Sequence, residues 1–437
     1  MAGLLKVVGV AFGVAVAIGN AIGSGILKTP GDVAGLLPAK ALFIGVWAVG
    51  GLYAFCSALS IAELGTLVPR AGGQYVFARR ALGDYAGFVV GFSDWLSTCG
   101  STAASALVIG EYLALLVPSL GGWSTRMAVL VTVLFALLQL RGVSISGKVQ
   151  EVTSLMKALA FAALIAACFF FGGAAPIDKP VYPTHSLAVA IVLALQSVIF
   201  TFDGWTGVIY FSEEVKNPAR EVPRSLLLSV VFIAAIYLMV NAALLHVASP
   251  GELAGSTLAV GVAAGKVFGA LGDPAIRWLT VLSMISAINA FHLMATRILF
   301  GMARDGLSFR GGASVNRGGT PAPALLVSTA AAVAFIVSGT FEEVIAVLSF
   351  FFVANYAVSF ASLLILRRRE PDAERPFRVP LYPWLTCFTL LASLAFLAGS
   401  IASDPRHSLF ALAALVASAP VYFLLKRRTR LARPPPV

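Results

Sequence analysis

The residues with the clearest chemical potential lie in two glycine-containing stretches inside long apolar runs. Residues 19–26 read GNAIGSGI and residues 200–207 read FTFDGWTG. Glycine weakens a helix by about 1 kcal/mol relative to alanine, so each stretch is a place where a helix can stop. A stopped helix leaves N–H groups with partial positive charge and C=O groups with partial negative charge. Two neighbouring breaks could therefore hold both ends of a small zwitterion.

Binding through the main chain is the chemistry that these stretches predict. The N–H groups of Ser24, Gly25 and Ile26 would take a carboxylate at the start of a second half-helix. Carbonyl groups on both stretches would take an ammonium group. The alternative for the glycines at 19 and 23 is a GxxxG helix-packing face. The full predicted substrate site comprises Ala21, Ile22, Gly23, Ser24, Gly25, Ile26, Thr98, Phe200, Thr201, Asp203, Gly204 and Phe291.

Two charged residues within apolar runs leave their roles open. Asp203 cannot face lipid, so it must meet protein or a cavity, where it would cap freed N–H groups or meet a cationic substrate. Lys157 would lie about 9 Å inside its helix, close enough for its side chain to extend to the membrane surface. The cysteines and histidines show no metal-ligand spacing, so no cofactor and no metal are predicted.

The composition decides which class of protein must position these residues. The chain has 437 residues, of which 59% are hydrophobic and 12% charged, and its mean hydropathy is +0.91. Soluble domains are about one quarter charged, so a soluble globular protein is excluded. The apolar residues form blocks of helix length rather than the alternating segments of a membrane barrel. The sequence predicts an all-α integral membrane protein.

The apolar blocks predict twelve membrane spans, each needing about 20 apolar residues. A stretch at 251–269 is amphipathic and is expected to form a short helix outside the membrane. The predicted spans cover residues 8–37 (interrupted), 41–68, 85–117, 125–141, 151–173, 186–214 (interrupted), 225–248, 272–302, 323–338, 343–366, 381–402 and 407–425.

The distribution of lysine and arginine predicts the orientation. With the N-terminus inside, 23 of the 31 basic residues fall in inner segments, and Lys179 is one of the few outside. The positive-inside rule therefore places both termini in the cytoplasm of a cell-membrane protein. The net charge of +11 needs no nucleic acid to explain it, and the absence of a Walker motif argues against ATP. Residues 426–437, basic and then proline-rich, are predicted to be a disordered tail.

Further motifs accompany the two glycine-containing stretches. They are ELGT at 63–66 with PRAGGQY at 69–75, EEVKNP at 213–218, MARDG at 302–306, and LRRREPD at 366–372 with RPFRVP at 375–380. In this order and at this spacing, the sequence resembles the amino acid–polyamine–organocation (APC) superfamily, in particular its L-type, serine/threonine-exchanger-like branch of amino acid transporters. The resemblance covers nearly the whole chain.

The resemblance implies the LeuT-type fold, with two inverted five-helix repeats and broken helices 1 and 6. The first repeat would occupy residues 1–173 and the second 186–367, followed by two more helices in 380–425. It also implies a secondary transporter in the lipid bilayer, not an enzyme, that moves small to medium neutral L-amino acids by alternating access. The alternative is proton-coupled or exchange transport of cationic amino acids or amines, and whether protons take part stays open.

The resemblance further implies roles for two side chains. Phe200 occupies the position of a gate over the substrate. Lys157 occupies the position at which sodium-coupled relatives bind sodium, where its ammonium group would brace the broken first helix. Leu27 stands where relatives usually have phenylalanine, which could alter the rim of the pocket.

Overall fold

The computed structural model describes residues 3–37, 39–173, 186–338 and 341–431, without the side chains of 341–349 and 428–431. Lys179 and residues 432–437 of the predicted tail lie outside these residues. The described chain is helical, and its only β-type pairing is an isolated bridge between Val8 and Val215.

Sixteen α-helices are found in the part of the chain that the structure describes. They are α1 (Val10–Ala21), α2 (Ser24–Leu36), α3 (Lys40–Leu67), α4 (Gln74–Leu82), α5 (Asp84–Leu116), α6 (Ser124–Leu140), α7 (Val143–Phe171), α8 (Leu187–Phe202), α9 (Pro218–Val247), α10 (Pro250–Leu253), α11 (Ala259–Phe268), α12 (Gly272–Arg304), α13 (Ala322–Ser338), α14 (Phe341–Arg369), α15 (Trp384–Ser403) and α16 (Pro405–Leu431). A 3₁₀ segment at Gly207–Phe211 follows α8.

The lengths and hydropathy of these helices confirm an all-α integral membrane protein with many spans. Nine helical segments among the described residues are long and apolar enough to cross a bilayer. Helices α1 and α2 make a tenth span when they are taken together as one broken span. The predicted total of twelve stays a prediction, because α6 and α13 have only 17 residues each.

Four predicted features were wrong. The seventh span was expected from residue 225, but α9 begins at Pro218. The fifth span was expected from residue 151, but α7 begins at Val143, because Ser146 and Gln150 are buried and the Gln150 side chain donates to the carbonyl of Ala15 in α1. The stretch at 251–269 forms two short helices, α10 and α11, instead of one. Helix α16 continues to Leu431, so the first half of the tail predicted to be disordered is helical.

Helix α12 lies at the centre of the bundle. In the most apolar stretch of Ala259–Arg304, which includes α12, 83% of the residues are buried. In the matching stretches of α15 and α16, only 22% are buried. Helix α12 packs along α5, α7 and α1, and α1 also contacts α9. The broken first span is therefore enclosed by helices rather than by lipid.

Candidate functional site

The first span is interrupted between α1 and α2. Helix α1 ends at Ala21, α2 begins at Ser24, and the two helices are bent by 48°. The N–H of Gly23 donates to the carbonyl of Ala21 at 2.9 Å instead of continuing the helical pattern. As the first residues of α2, Ser24, Gly25 and Ile26 have no intrahelical acceptor for their N–H groups, and no side chain caps them.

The sixth span is interrupted immediately after α8. Asp203 is extended (ψ 149°), and Gly204 adopts a φ of +104°, which L side chains rarely adopt. A Cβ atom on Gly204 would lie 2.6 Å from the Cβ atom of Asn20 and 2.9 Å from the backbone nitrogen of Ala21. The glycine therefore serves both the turn and the direct contact between the two breaks.

Replacing Gly204 with alanine should destabilise the protein for these two reasons. Strain of this kind costs on the order of 1–3 kcal/mol, to which the collision with the main chain of α1 adds. We expect a lower melting temperature in detergent, measured by thermal unfolding. Gly45→Ala is the matched control, because no atom lies within 4 Å of a Cβ there. Equal melting temperatures for the two variants would contradict the close contact.

Helix α2 of the first span also packs on α8 of the sixth. A Cβ atom on Gly25 would lie 3.1 Å from Cγ2 of Thr201. The hydroxyl groups of Thr201 and Thr29 are 2.7 Å apart and hydrogen bonded. The structure thus brings Ala21, Gly25, Thr201 and Gly204, which the sequence predicts to act together, into one place.

One side of the molecule gives access to this place. Ser24, Lys28 and Asp32 are exposed and lie one helical turn apart along α2. Charged side chains at membrane depth do not face lipid, so we take this stripe, here called the aqueous opening, to face water along α2. Residues 15–21 of α1 are all buried, so no equivalent stripe leads to the opposite side.

Lys157 reaches the first break from α7. Its side chain is fully buried, and Nζ donates to the carbonyl of Gly19 at 3.0 Å and to that of Ile22 at 2.7 Å. The side chain therefore points to the end of α1 and does not extend to the membrane surface. A cation at this position satisfies freed carbonyl groups and complements the helix dipole.

Tyr237 of α9 connects the two breaks, and the sequence analysis missed it. Its hydroxyl group lies 2.5 Å from the carbonyl of Ala21 and 2.9 Å from that of Thr201. The available signal was a tyrosine in an apolar run, since a buried tyrosine hydroxyl needs a partner. The Ala21 carbonyl already accepts from Tyr237 and Gly23, and the Ile22 carbonyl from Lys157, so both are engaged before any substrate arrives.

Asp203 is partly exposed and is held by a tyrosine. Its Oδ1 accepts a hydrogen bond from the hydroxyl of Tyr356 in α14 at 2.5 Å. The Tyr356 ring stacks on Trp205, with ring centroids 5.5 Å apart. Among the described residues Asp203 has no ion-pair partner, so its carboxylate stands beside the break next to neutral groups.

The remaining predicted site residues differ in their surroundings. Phe200 is 36% exposed in the last turn of α8, next to the break. Thr98 is fully buried, and its hydroxyl donates to the main-chain carbonyl four residues earlier at 2.7 Å. Phe291 is partly buried in α12. Among the described side chains, neither a hydrogen bond nor a ring contact joins Thr98 or Phe291 to a break, so their assignment to the site stays a prediction.

A row of polar side chains on α7 holds α1 in place. Ser154 donates to the carbonyl of Ala15 at 2.7 Å, and Gln150 donates to the same carbonyl at 3.2 Å. Ser286 and Asn289 of α12 bond to this pair. Positions 150, 154 and 157 share one helix face, a spacing that could have indicated the contact. Helix α1 is therefore fixed through its main chain.

Ion pairs close the side of the molecule opposite the aqueous opening, here called the N-terminal face. The most deeply buried ion pair among the described residues joins Glu214, after the sixth span, to Arg297 of α12 through two hydrogen bonds of 2.9 and 3.0 Å. Both side chains have no exposed surface. Val8 pairs with the same segment through bonds to Glu214 and Lys216. Removing one member of a buried pair typically costs about 3–5 kcal/mol, so this closure is firm.

Two further acidic residues form ion pairs with arginines on the N-terminal face. Asp305 pairs with Arg70 at 2.8 Å and with Arg79. Burial acts to raise the pKa of Asp305, but these arginines and a bond from a tyrosine outweigh it and hold the pKa below its usual value. Glu63 pairs with Arg367 and Arg375 at 2.6 and 3.2 Å. The Asp305 cluster should therefore remain ionised at neutral pH.

The family and the relatives that this chain matches are described as amino acid permeases, exchangers or transporters. A family model described as amino acid permease matches residues 3–419. The serine/threonine exchanger SteT of Bacillus subtilis (strain 168) is 27% identical, with 98% of both chains covered. The b(0,+)-type amino acid transporter 1 of Mus musculus is 27% identical over 97% of this chain and 88% of its own. The large neutral amino acids transporter small subunit 2 of Homo sapiens is 28% identical over 96% and 80%, respectively.

Proposed function

This chain belongs to the amino acid permease family, and from that premise we propose that it transports small to medium neutral L-amino acids by alternating access. The observation that carries the proposal is the contact between two broken spans, at Gly204 against Ala21 and at Thr201 against Gly25. The family match and the relatives confirm, at the level of the family, the resemblance that the sequence motifs show. A permease leaves its substrate chemically unchanged.

The substrate carboxylate would bind at the start of α2. The N–H groups of Ser24, Gly25 and Ile26 lack intrahelical acceptors, and a helix N-terminus favours an anion. Ser24 is exposed to the aqueous opening, so a substrate can reach these groups. Gly23, just before them, keeps this place free of a side chain.

The ammonium group would then lie against the end of α8. The carbonyls of Phe200 and Asp203 lie at the end of that helix, where partial negative charge collects. The Asp203 carbonyl would be the main acceptor, because that of Phe200 already accepts from the N–H of Asp203 at 3.1 Å. The carbonyls of Ala21 and Ile22, which the sequence also assigns to the ammonium group, would contribute as secondary acceptors because they already have partners.

The names of the relatives support a neutral substrate. One is named for serine and threonine and another for large neutral amino acids. A neutral amino acid presents one carboxylate and one ammonium group, and two adjacent helix breaks supply one complementary end for each. We therefore place neutral L-amino acids first.

Features of the helix order support the proposed LeuT-type arrangement of twelve spans in two inverted repeats. The first span in residues 1–173 and the first in 186–367 are the broken ones. The fourth spans, α6 and α13, have 17 residues each. Short helices, α4 in one half and α10 and α11 in the other, stand between the second and third spans. Helices α15 and α16, in 380–425, would complete the twelve.

The charge distribution supports cytoplasmic termini in a cell membrane. The N-terminal face gathers basic clusters and their ion pairs, as the positive-inside rule requires of the inner side. The aqueous opening along α2 would then face outward. The structure would correspond to the outward-open state of the transport cycle, with the inner side sealed by Glu214 and Arg297.

Lys157 would replace a coupling cation. Its ammonium group occupies the freed carbonyls of Gly19 and Ile22, so a sodium ion has no place there. Transport would accordingly run without sodium and without ATP, as exchange or by proton coupling.

Phe200 would act as the gate over the bound substrate. Phe200→Ala should slow turnover several-fold, because an open pocket loses substrate before the conformational change. The measurement is the exchange rate and the apparent affinity in proteoliposomes. Phe170→Ala is the matched control, since its side chain is 81% exposed far along α7. Unchanged kinetics in the Phe200 variant would remove the gate from the mechanism.

A second candidate function is transport of cationic amino acids or amines. The observation that favours it is Asp203, a partly exposed carboxylate beside the break with a tyrosine as its partner and no cation. An extra positive charge on the substrate could pair with it. Asp203→Asn would then abolish cationic uptake while neutral uptake persisted.

The deciding experiment is counterflow in proteoliposomes. Liposomes loaded with one unlabelled amino acid at a time are tested for uptake of the same labelled amino acid, over a panel of neutral, cationic and acidic compounds. Accumulation with serine, threonine or larger neutral amino acids supports the proposal. Counterflow with cationic compounds alone would favour the second function, and none with any amino acid would refute both.

A further inference from the structure

A carboxylate is fully buried within the third predicted span. Asp94 lies in α5, about ten residues from the start of a 33-residue helix, and its exposed surface is 0%. The sequence analysis did not single it out. A charged group at membrane depth is costly, so its presence points to a function.

The contacts of Asp94 are few and neutral. Both carboxylate oxygens accept from the hydroxyl of Tyr210, at 3.0 and 3.1 Å. The neighbouring hydroxyls of Ser97 and Thr98 donate to main-chain carbonyls and not to the carboxylate. Among the described residues no ion pair includes Asp94. The group is therefore buried without a cation.

The elements packed against this part of α5 do not supply a cation either. Asn355 of α14 accepts from Ser93, and Gln74 of α4 accepts from Ser359, so these amides are neutral neighbours. Asp203 adds a second acidic group nearby. The other buried titratable or charged side chains on these elements already have partners: Tyr75 with Asp305, His292 with Thr329, Arg297 with Glu214, and Tyr356 with Asp203.

An ionised carboxylate without a cation is costly in a dry interior, and such a group is more stable when it is neutral. When Asp94 carries a proton, its O–H can donate to the phenol oxygen of Tyr210, so the observed contact persists. Tyr210 belongs to the 3₁₀ segment that follows the second break. Movement of that segment would separate the two groups and admit water to Asp94.

We propose that Asp94 is a proton-binding site whose occupancy changes during the transport cycle. The inference rests on the proposed function, because it needs alternating access of the sixth span. One proton from the outer side reaches the Asp94 carboxylate when its contact with Tyr210 opens transiently, and it is held there once Tyr210 is back in place. The same proton leaves to water on the inner side once the 3₁₀ segment moves, so one proton travels with each substrate.

Asp94 is better placed for this role than the other buried charges of the bundle. Lys157 donates to two carbonyl oxygens, which suit an ammonium group throughout. Asp203 is partly exposed in the outward-open state and can exchange protons with water without any movement. Only a group that is sealed in one state and wetted in another links protonation to the cycle.

The first test uses the wild-type protein in proteoliposomes that contain the pH dye pyranine. Adding an amino acid that gives counterflow should acidify the lumen, and an inside-alkaline gradient should drive accumulation of that amino acid. Counterflow without acidification would overturn the proton site and leave the proposed function intact. Absence of counterflow with every amino acid would instead refute the proposed function.

The second test compares Asp94→Asn with Asp84→Asn, at the exposed start of the same helix. D94N cannot release a proton, so accumulation driven by the gradient should fall about tenfold or more, while exchange persists at a reduced rate. D84N should respond to the gradient as the wild type does. Gradient-driven accumulation by D94N at the wild-type level would overturn the proposal. If D94N does not fold, the absence of acidification by the wild type would still overturn the proposal.

Discussion

Transport by Lys157→Ala is expected to fall about tenfold or more, even though the protein is still inserted in the membrane. The substitution leaves the carbonyls of Gly19 and Ile22 buried without their donor, at about 1–3 kcal/mol each. The end of α1 then loses its fixed position, and with it the start of α2. Because each 1.4 kcal/mol corresponds to a tenfold change, the loss should be evident in counterflow rates normalised to membrane expression.

Lys148→Ala provides the control for the loss of a lysine from the same helix. Lys148 is exposed and lies nine residues before Lys157, near the N-terminal face. We expect it to keep wild-type transport. A Lys157→Ala variant that matched it would show that α1 is held by Ser154 and Gln150 alone.

The second large effect is expected from Ser24→Leu, which should abolish uptake without preventing insertion. The leucine side chain would fill the position proposed for the substrate carboxylate, beside the N–H groups of residues 24–26. Ser24→Ala is the matched control, because it keeps the main-chain N–H and adds no bulk. The alanine variant should retain most of the counterflow signal, provided that recognition is by the main chain.

Both variants are compared by counterflow and by binding of a labelled amino acid. Loss of both signals in the leucine variant alone supports the assignment. If the alanine variant is equally inactive, the hydroxyl group and not the N–H would be the ligand. Full transport by the leucine variant would remove the start of α2 from the site.

The breaks in the helices could be predicted from sequence because their causes are local. Glycine at 23 and 204 lowers helix stability wherever the chain is placed, so the interruptions were predicted within a residue or two. Hydropathy also located most helix ends. It failed at α7, where Ser146 and Gln150 looked like residues outside the membrane but bond to α1 and α12.

The side chains that the sequence did not reveal depend on distant partners. The residues missed were Tyr237, Asp94 and Arg297, each with its bonding partner more than 35 positions away along the chain. No local periodicity indicates such pairings.

The motifs that carry the family resemblance have their own structural explanation. Most of them lie on the N-terminal face and not at the breaks. Glu63, Glu214 and Asp305 come from three different motifs, and each binds arginine there. The motifs outside the breaks thus describe how one side of the bundle closes, whereas the proposed substrate site uses mainly glycine and the main chain.

Tyr237 has a single hydroxyl hydrogen and two carbonyl acceptors, one on each broken span. When either span moves away, the hydrogen can turn fully to the acceptor that remains, so the Tyr237 hydroxyl itself keeps a partner. Separating the two spans therefore costs the Tyr237 hydroxyl only one of its two hydrogen bonds. Tyr237 can therefore stay hydrogen bonded to one broken span while the other moves. The two spans can then separate repeatedly without a large activation barrier at this tyrosine.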